Sequence, residues 1–429
     1  MTKARSAGLG LSPQATPWVA LAVFCLLSIL NFLDRNLIAS AIPAIRDEFS
    51  LSDSDIGALS MSFAVVYAVG SIPLGKLADR YSRRNIILSM AGVWSLMTAA
   101  CGHAGSFTQL LLGRMGVAAA EGGYMPAVYS SLSDMFSAAR RNLVSALIIA
   151  SCSLGTFAGL ALGGVLTAHH GWRAAFFYVG LGGLLIVALA FLLIPEPERA
   201  TSDARGAVDD SGRLGLFAGV ARLLRDRVAL YALLSTSFFT FSHGLSFWLP
   251  SFFQRTYQLP IETIGLLVGG SFGLGLGAGT LAGGFIGERL GRTHMFRPLL
   301  LCIVANALLI PTMATVLLIR NIETAIALTA VMSFAGGLAG PAFTSVMQNA
   351  APPRLRGTAH GLLTLATSVF GYGLVPWGVG IASDYFSASM GAVEGLRYAL
   401  LSATSLFVVA LIFSVLAYRA GRSPAGHPA

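Results

Sequence analysis

Four charged side chains stand in segments that would otherwise be apolar enough to cross a membrane. Asp34 and Arg35 lie in Ser28-Ile-Leu-Asn-Phe-Leu-Asp-Arg-Asn36, and Arg114 and Glu121 lie in Leu110-Leu-Leu-Gly-Arg-Met-Gly-Val-Ala-Ala-Ala-Glu121. Each charge at that depth costs a few kcal/mol unless it is paired or wetted, so intramembrane charges mark functional positions by default. Arg114 and Glu121 are two helical turns apart, so they project from nearly one face, roughly 10 Å apart along the axis. Counted from the start of its span, Asp34 reaches a depth similar to Arg114, which pairs these two and leaves Glu121 either alone or reached by Arg35. Neighbours on a helix point about 100° apart, so Asp34 and Arg35 cannot both serve one spot without snorkelling. A carboxyl group that gains and loses an arginine partner inside a low-dielectric cavity takes up and releases a proton. These four residues are therefore the expected proton-coupling set; a static salt-bridge network fixing helix packing would use the same residues.

The elements that must hold such a site are membrane helices. The chain has 429 residues, 55% of them apolar and 11% charged, with mean hydropathy +0.73, which suits a polytopic membrane protein and excludes a soluble one of this size. Apolar runs long enough to span follow one another near 18–41, 55–75, 85–103, 107–131, 142–168, 173–194, 228–253, 261–286, 297–318, 323–346, 357–383 and 396–418. Their lengths fit helices rather than membrane strands of ~10 residues. The expected fold is all-α and integral to the membrane, with twelve transmembrane helices in two pseudo-symmetric six-helix bundles. With both termini cytoplasmic, 21 of the 28 Lys and Arg fall on cytoplasmic segments and only 5 on outer loops, the bias that sets topology. The net charge of +9 is thus topogenic and calls for no nucleic-acid partner. Asp34 and Arg35 interrupt the apolar region before Ala39-Ser40-Ala41, so a cleaved signal is not expected. The cysteines stand singly, without metal or redox spacing.

Residues 1–195 read as the N-terminal bundle and 227–419 as the C-terminal bundle. Between them, 196–226 is a cytoplasmic linker whose Leu214–Arg225 stretch is amphipathic and basic, suited to the inner membrane surface; 420–429 is a cytoplasmic tail. The halves repeat. Gly75-Lys-Leu-Ala-Asp-Arg-Tyr-Ser-Arg83 matches Gly284-Phe-Ile-Gly-Glu-Arg-Leu-Gly-Arg292, and Pro126, Ala127, Ser130 and Arg141 match Pro341, Ala342, Ser345 and Arg356. Tandem repeats with the site between them are a known transporter plan. In the first copy, Asp79 can accept from the exposed N–H groups that open a facing helix, and the eleventh span begins at the same surface.

The paired loops resemble the signature of the major facilitator superfamily. Within it the chain is similar to spinster-type transporters, through Asn31-Phe-Leu-Asp-Arg35, Gly75 to Arg84, Arg114 to Glu121, Gly171-Trp-Arg-Ala-Ala-Phe176, Glu196-Pro-Glu-Arg199 and Trp248-Leu-Pro250. Anion:cation symporters of organic acids share the first-helix Asp-Arg and the fourth helix. The resemblance implies coupling through the first- and fourth-helix charges. It also implies a gate at the two loops (Gly75, Asp79, Arg80 and Arg83; Glu288, Arg289 and Arg292), with Glu288 meeting the fifth span. That span, Gly155-Thr-Phe-Ala-Gly-Leu-Ala-Leu-Gly-Gly164, resembles an antiporter glycine motif but has Leu160 in place of proline. Close helix packing explains it equally well, and symport versus antiport stays open.

No comparable charge is buried in the C-terminal half. It offers His243 and Trp248 in the seventh span and Tyr372 in the eleventh; with Asn31, Tyr67 and Tyr124 these are the expected substrate contacts, although aromatic stripes are more often core. The asymmetry suggests an anionic or polar end held by the N-half and an apolar body against the C-half. The expected activity is proton-coupled secondary transport of an organic anion or lysolipid-like amphipath by a monomer in the cell membrane, with the proton as coupling ion and no cofactor. A sugar-acid or aromatic-acid symporter and a non-transporting lipid sensor or receptor are the alternatives. Neither a nucleophile triad nor a metal cluster nor a phosphate loop supports an enzyme.

Overall fold

Because a backbone in lipid must satisfy its own hydrogen bonds, every long apolar run in the computed structural model is helical. The structure describes residues 16–80, 82–137, 140–193, 216–352 and 355–422, and at 72, 73, 75–80, 141, 142, 216, 217, 243 and 245 the backbone alone. In the N-terminal half, α1 (Thr16–Phe49), α2 (Asp53–Arg80) and α3 (Arg83–Cys101) are followed by α4 (Phe107–Glu121) and α5 (Tyr124–Met135), which share the fourth span. Spans five and six run on from one another as α6 (Arg141–Leu193), which breaks at Gly171. Its φ of +79° is one that L side chains rarely adopt.

The short α7 (Leu216–Arg225) leads into the C-terminal half. There α8 (Arg227–Phe239) and α9 (Phe241–Tyr257) make the seventh span, and α10 (Ile261–Val268) and α11 (Gly275–Thr293) make the eighth. These are followed by α12 (Leu299–Leu318) and α13 (Ile322–Ala350), then α14 (Arg356–Ala366) and α15 (Val375–Met390) in the eleventh span, and last α16 (Ala392–Arg422). Two spans of this half widen into π-helix, at Gly269–Leu274 and Thr367–Leu374. Glycines at 269, 270, 273, 371 and 373 spare these wide turns side-chain crowding. In α7, Leu223 is buried while Arg222, Leu224 and Arg225 are exposed; residues 194–215 lie outside the described residues.

Small residues let backbones close on one another where lipid offers no hydrophobic drive. The glycines of the fifth span do this twice. A Cβ at Gly159 would sit 2.5 Å from the Leu33 carbonyl oxygen of α1, and one at Gly164 would sit 2.7 Å from that of Ile261 at the start of α10. The first contact holds α1 at the depth of Asp34; the second joins the two halves. Gly159→Leu must therefore push α1 away from α6. Overpacking of this kind costs about 1–3 kcal/mol, and detergent-solubilised protein is expected to show a lower Tm and weaker ligand binding together; an unchanged Tm would contradict this packing.

Among the described residues the halves meet most firmly at the end of the bundle that carries Asp53, here termed the Asp53 face, with the Arg83 face opposite. There α2 runs along α15 and α6 runs along α10. Between the halves, deeper in the bundle, lies a cavity.

Candidate functional site

Helix α1 places Asp34 and Arg35 on different sides of itself, and α4 supplies a partner to each. The Arg114 Nη1 donates to both oxygens of Asp34, at 3.2 and 3.3 Å. The Arg35 Nε donates to Glu121 Oε2 at 2.7 Å. Asp34, Arg114 and Glu121 have side chains only 1%, 2% and 0% exposed, and Arg35 is 14% exposed. The pairing follows the depth count, and the 100° divergence of neighbouring residues is what lets one dipeptide serve two partners.

The cavity sees these pairs from the cationic side. Arg35 and Arg114 line it; Asp34 and Glu121 do not. Two aromatic rings from α2 shape the approach. Arg35 lies over Tyr67, 4.4 Å from the ring centroid, and Phe63 has Arg114 at 5.0 Å and Arg35 at 5.7 Å. Phe63 and Tyr67 are stacked at 6.3 Å. This layer draws on cation–π attraction to both guanidinium groups. The remaining polar lining from the N-half is Asn36, Ser60 and Thr156. The facing wall of the C-half is Ser246 and Phe247 of α9, Phe272, Leu276, Ser368, Tyr372 and Pro376. The π-helical turns bring Phe272, Ser368 and Tyr372 to this wall. The carbonyl of Tyr372 accepts from Ser60 Oγ of the other half at 2.5 Å.

Of the expected substrate contacts, Tyr67 and Tyr372 line the cavity, as does Arg35. Three others need correction. Tyr124 is wholly buried behind α1, where its hydroxyl donates to the Phe24 carbonyl oxygen at 3.0 Å and meets Ser28 Oγ at 3.1 Å. Trp248 is wholly buried in the C-half, with Nε1 donating to the Pro376 carbonyl oxygen at 3.0 Å. Asn31 is wholly buried too and does not line the cavity. Depth alone placed all three, but which way a helix turns a residue depends on its neighbours. The side chain of His243 lies outside the described residues. Sequence reasoning missed Phe63, Ser60 and Ser368. The spacing of Ser60, Phe63 and Tyr67 puts them on one helical face, a usable signal.

At the Arg83 face, Arg83 pairs with Asp134 of α5, inside its own half. Among the described residues Glu288 binds Arg292 at 2.7 Å on its own helix, both exposed; the side chains at 141 and 142, where its expected contact with the fifth span falls, lie outside the described residues. Arg289 lies over Phe285, 4.2 Å away. The side chains at Gly75, Asp79 and Arg80 lie outside the described residues.

At the Asp53 face a tight cluster spans the halves. Asp53, 1% exposed, accepts from Arg255 Nη2 at 2.6 Å and Nη1 at 2.8 Å and from Ser383 Oγ at 2.6 Å; Arg46 lies 3.6 Å away. In return Asp384 of α15 accepts from the backbone N–H groups of Asp53 and Ser54, at 2.9 and 2.8 Å. These are orphan donors at the positive end of α2. A Cβ at Gly57, one turn on, would meet Trp377 Cα at 2.6 Å. Nothing in the sequence flagged this cluster, because its members are scattered singly at span ends.

Two bundles of six membrane helices, repeated motifs and a cavity between the halves define a class. A sequence profile described as the Major Facilitator Superfamily matches residues 24–376, and the chain belongs to that superfamily: it is a multi-pass membrane transporter and not an enzyme. It is 28% identical to an MFS-type efflux pump of Mycolicibacterium smegmatis over 403 residues, covering 92% of this chain and 91% of that one. It is also 27% identical to a probable L-galactonate transporter of Escherichia coli over 289 residues, 65% of this chain and 64% of the relative. Its fold matches the crystal structure of a bacterial homolog of the human lysosomal transporter spinster, in an inward-facing and unoccupied conformation. The TM-score is 0.84 at 25% identity, over 95% of this chain and 99% of that one.

Proposed function

We propose that this transporter moves an organic anion with an apolar or aromatic body, coupled to protons through Asp34, Arg35, Arg114 and Glu121. One observation carries the reading: two guanidinium groups line the cavity while both of their carboxylate partners stand behind them. An anion entering the cavity meets positive charge first, and the Phe and Tyr rings around it suit an apolar remainder. Competition between that anion and Glu121 for Arg35 would tie substrate binding to the proton on Glu121. Symport and antiport both follow from such competition, depending on which state releases the proton. Both halves of the cavity come from one chain, which suits a monomer.

The expected orientation makes the Asp53 face the outer one, and the clamp there then corresponds to an inward-open state in the cell membrane. A second reading is export of amphipathic compounds. Phe32, Phe63, Phe247 and Phe272 on the cavity wall favour it, as does the similarity to an efflux pump.

Thermal shift of purified protein against carboxylates, sugar acids and lysolipids at two pH values tests the substrate class. Anions are expected to raise Tm, and Arg35→Gln is expected to weaken that binding by about 10–100-fold, the worth of a charge-assisted hydrogen bond of roughly 1.5–3 kcal/mol. Equal stabilisation of wild type and Arg35→Gln by every anion would refute the assignment of Arg35.

A further inference from the structure

The N-terminal half contains a second polar region, closed off from the cavity. On α1, Ser28, Asn31 and Arg35 fall within about 60° of one helical face. Ser28 meets Tyr124 and Arg35 meets Glu121, so Asn31, lying between them, looks toward α4 at the level of Glu121. Helix α3 closes this space. The Trp94 ring stands 5.1 Å from Tyr124. Ser95 sits at the level of Leu30, since a Cβ on Gly183 would touch both side chains.

On the three helices around this space, buried polar atoms reach no protein partner among the described residues, the Ser95 hydroxyl on the side of α3 that meets Gly183 of α6. They are both amide atoms of Asn31, Glu121 Oε1, Trp94 Nε1 and the hydroxyls of Ser95 and Thr98. Asn31 and Glu121 are 0% exposed, and Trp94, Ser95 and Thr98 are 1% exposed. A buried donor or acceptor left unmade costs about 1–3 kcal/mol. Several gathered on three adjacent helices are therefore not a tolerable dry arrangement. Buried water relieves such groups when it finds two to four polar partners.

We infer that Asn31, Trp94 and Glu121 Oε1 form a water-binding site inside the N-terminal half, separated from the substrate cavity by the Arg35–Glu121 pair. Asn31 can donate and accept, Trp94 can only donate and an ionised Glu121 can only accept. A water among them accepts from Trp94 and donates to Glu121, with Asn31 orienting it. Glu121 is thus hydrated from behind while Arg35 holds its other oxygen. The charged and titratable groups around the Arg35–Glu121 pair are Asp34 and Cys25 on α1, Tyr67 on α2, Arg114 on α4, Tyr124 on α5, Cys152 on α6 and Tyr372 in the eleventh span. Where Glu121 exchanges a proton, as proposed above, this water is a partner that substrate in the cavity does not displace.

Hydroxyl-radical footprinting of the purified protein tests the site, because radicals form from bound water and oxidise the nearest ring. Trp248 is the control: it is as deeply buried as Trp94, but its Nε1 is already bonded to protein. Trp94 is expected to be oxidised several times faster than Trp248. In Asn31→Leu its rate should fall to that of Trp248, while Trp18, 39% exposed, keeps its rate and reports an intact fold. Oxidation of Trp94 no faster than Trp248 in the wild type would overturn the water site without any variant. Unchanged Trp94 oxidation in a folded Asn31→Leu protein would remove Asn31 from it. The pH profile of uptake in Asn31→Leu is expected to be displaced. Uptake without pH dependence in the wild type would defeat the proton-coupled reading, yet the Trp94 rate would still decide the water site.

Discussion

Asp34→Asn is expected to abolish pH-driven uptake and to destabilise the protein severely, whereas Glu121→Gln should abolish coupling at a smaller loss of stability. The two carboxylates have the same chemistry but different settings. Arg114 is 2% exposed, and Asp34 is the carboxylate that balances it. Removing one partner of a buried ion pair leaves an uncompensated charge and costs about 3–5 kcal/mol. That is a large part of the marginal stability of any fold. Arg35 is 14% exposed and opens on the cavity, where water can rehydrate it once Glu121 is neutral. The order of effects is therefore Asp34→Asn well below Glu121→Gln in Tm, with both variants inserted in the membrane and both unable to concentrate substrate under a pH gradient. Tm from a thermal scan and uptake into proteoliposomes check this directly. Equal Tm values would show that the burial of Arg114 is not what holds the N-half together, and wild-type uptake by both would end the coupling assignment.

The second large effect is expected at the Asp53 face. Asp53→Asn should open that face, because the substitution leaves Arg255, 14% exposed, and the partly exposed Arg46 without their shared buried anion. Arg255→Gln should act in the same direction but more weakly, since Asp53 keeps Ser383 and Arg46. If the cluster contributes about 3 kcal/mol to the closed arrangement, the lower end of the range for breaking a buried pair, its loss moves the equilibrium by roughly a hundredfold. Spin labels at Asp47→Cys on α1 and Ala388→Cys on α15, both exposed positions on this face, report the change. In a background without the native cysteines, the label distance is expected to lengthen in Asp53→Asn. An unaltered distance distribution would mean that the packing of α2 on α15 holds the face shut and the charges are incidental. The clamp has a built-in reciprocity that makes the first outcome expected: Asp53 receives side chains from the other half while Asp384 caps the helix on which Asp53 sits.

Several elements of the site were legible before any coordinates. Asp34, Arg35, Arg114 and Glu121 announced themselves because charge inside an apolar run is costly and therefore selected, and helical rise was enough to pair Asp34 with Arg114, while only the structure decided that Glu121 is held by Arg35. Tyr67 and Tyr372 stood at the right depth and do face the cavity. Tyr124, Trp248 and Asn31 stood at comparable depths and do not line it, since depth is one coordinate and the azimuth of a residue depends on how its helix packs. The π-helical turns at Gly269–Leu274 and Thr367–Leu374 rotate everything beyond them by an amount no sequence period reveals. They are part of why Ser368 and Phe272 on the cavity wall went unforeseen.

What the amino-acid order determined by itself is the number of membrane helices, their repetition in two halves and the identity of the four buried charges. Each of these follows from a local rule: apolar length, motif spacing, or the expense of charge in lipid. What only the tertiary structure decided is which side of each ion pair meets the cavity, which polar groups are turned into the N-half, and which single residues at span ends meet to close the Asp53 face. Those are relations between helices far apart in the chain, and they depend on rotation and approach distances that are set when the helices pack.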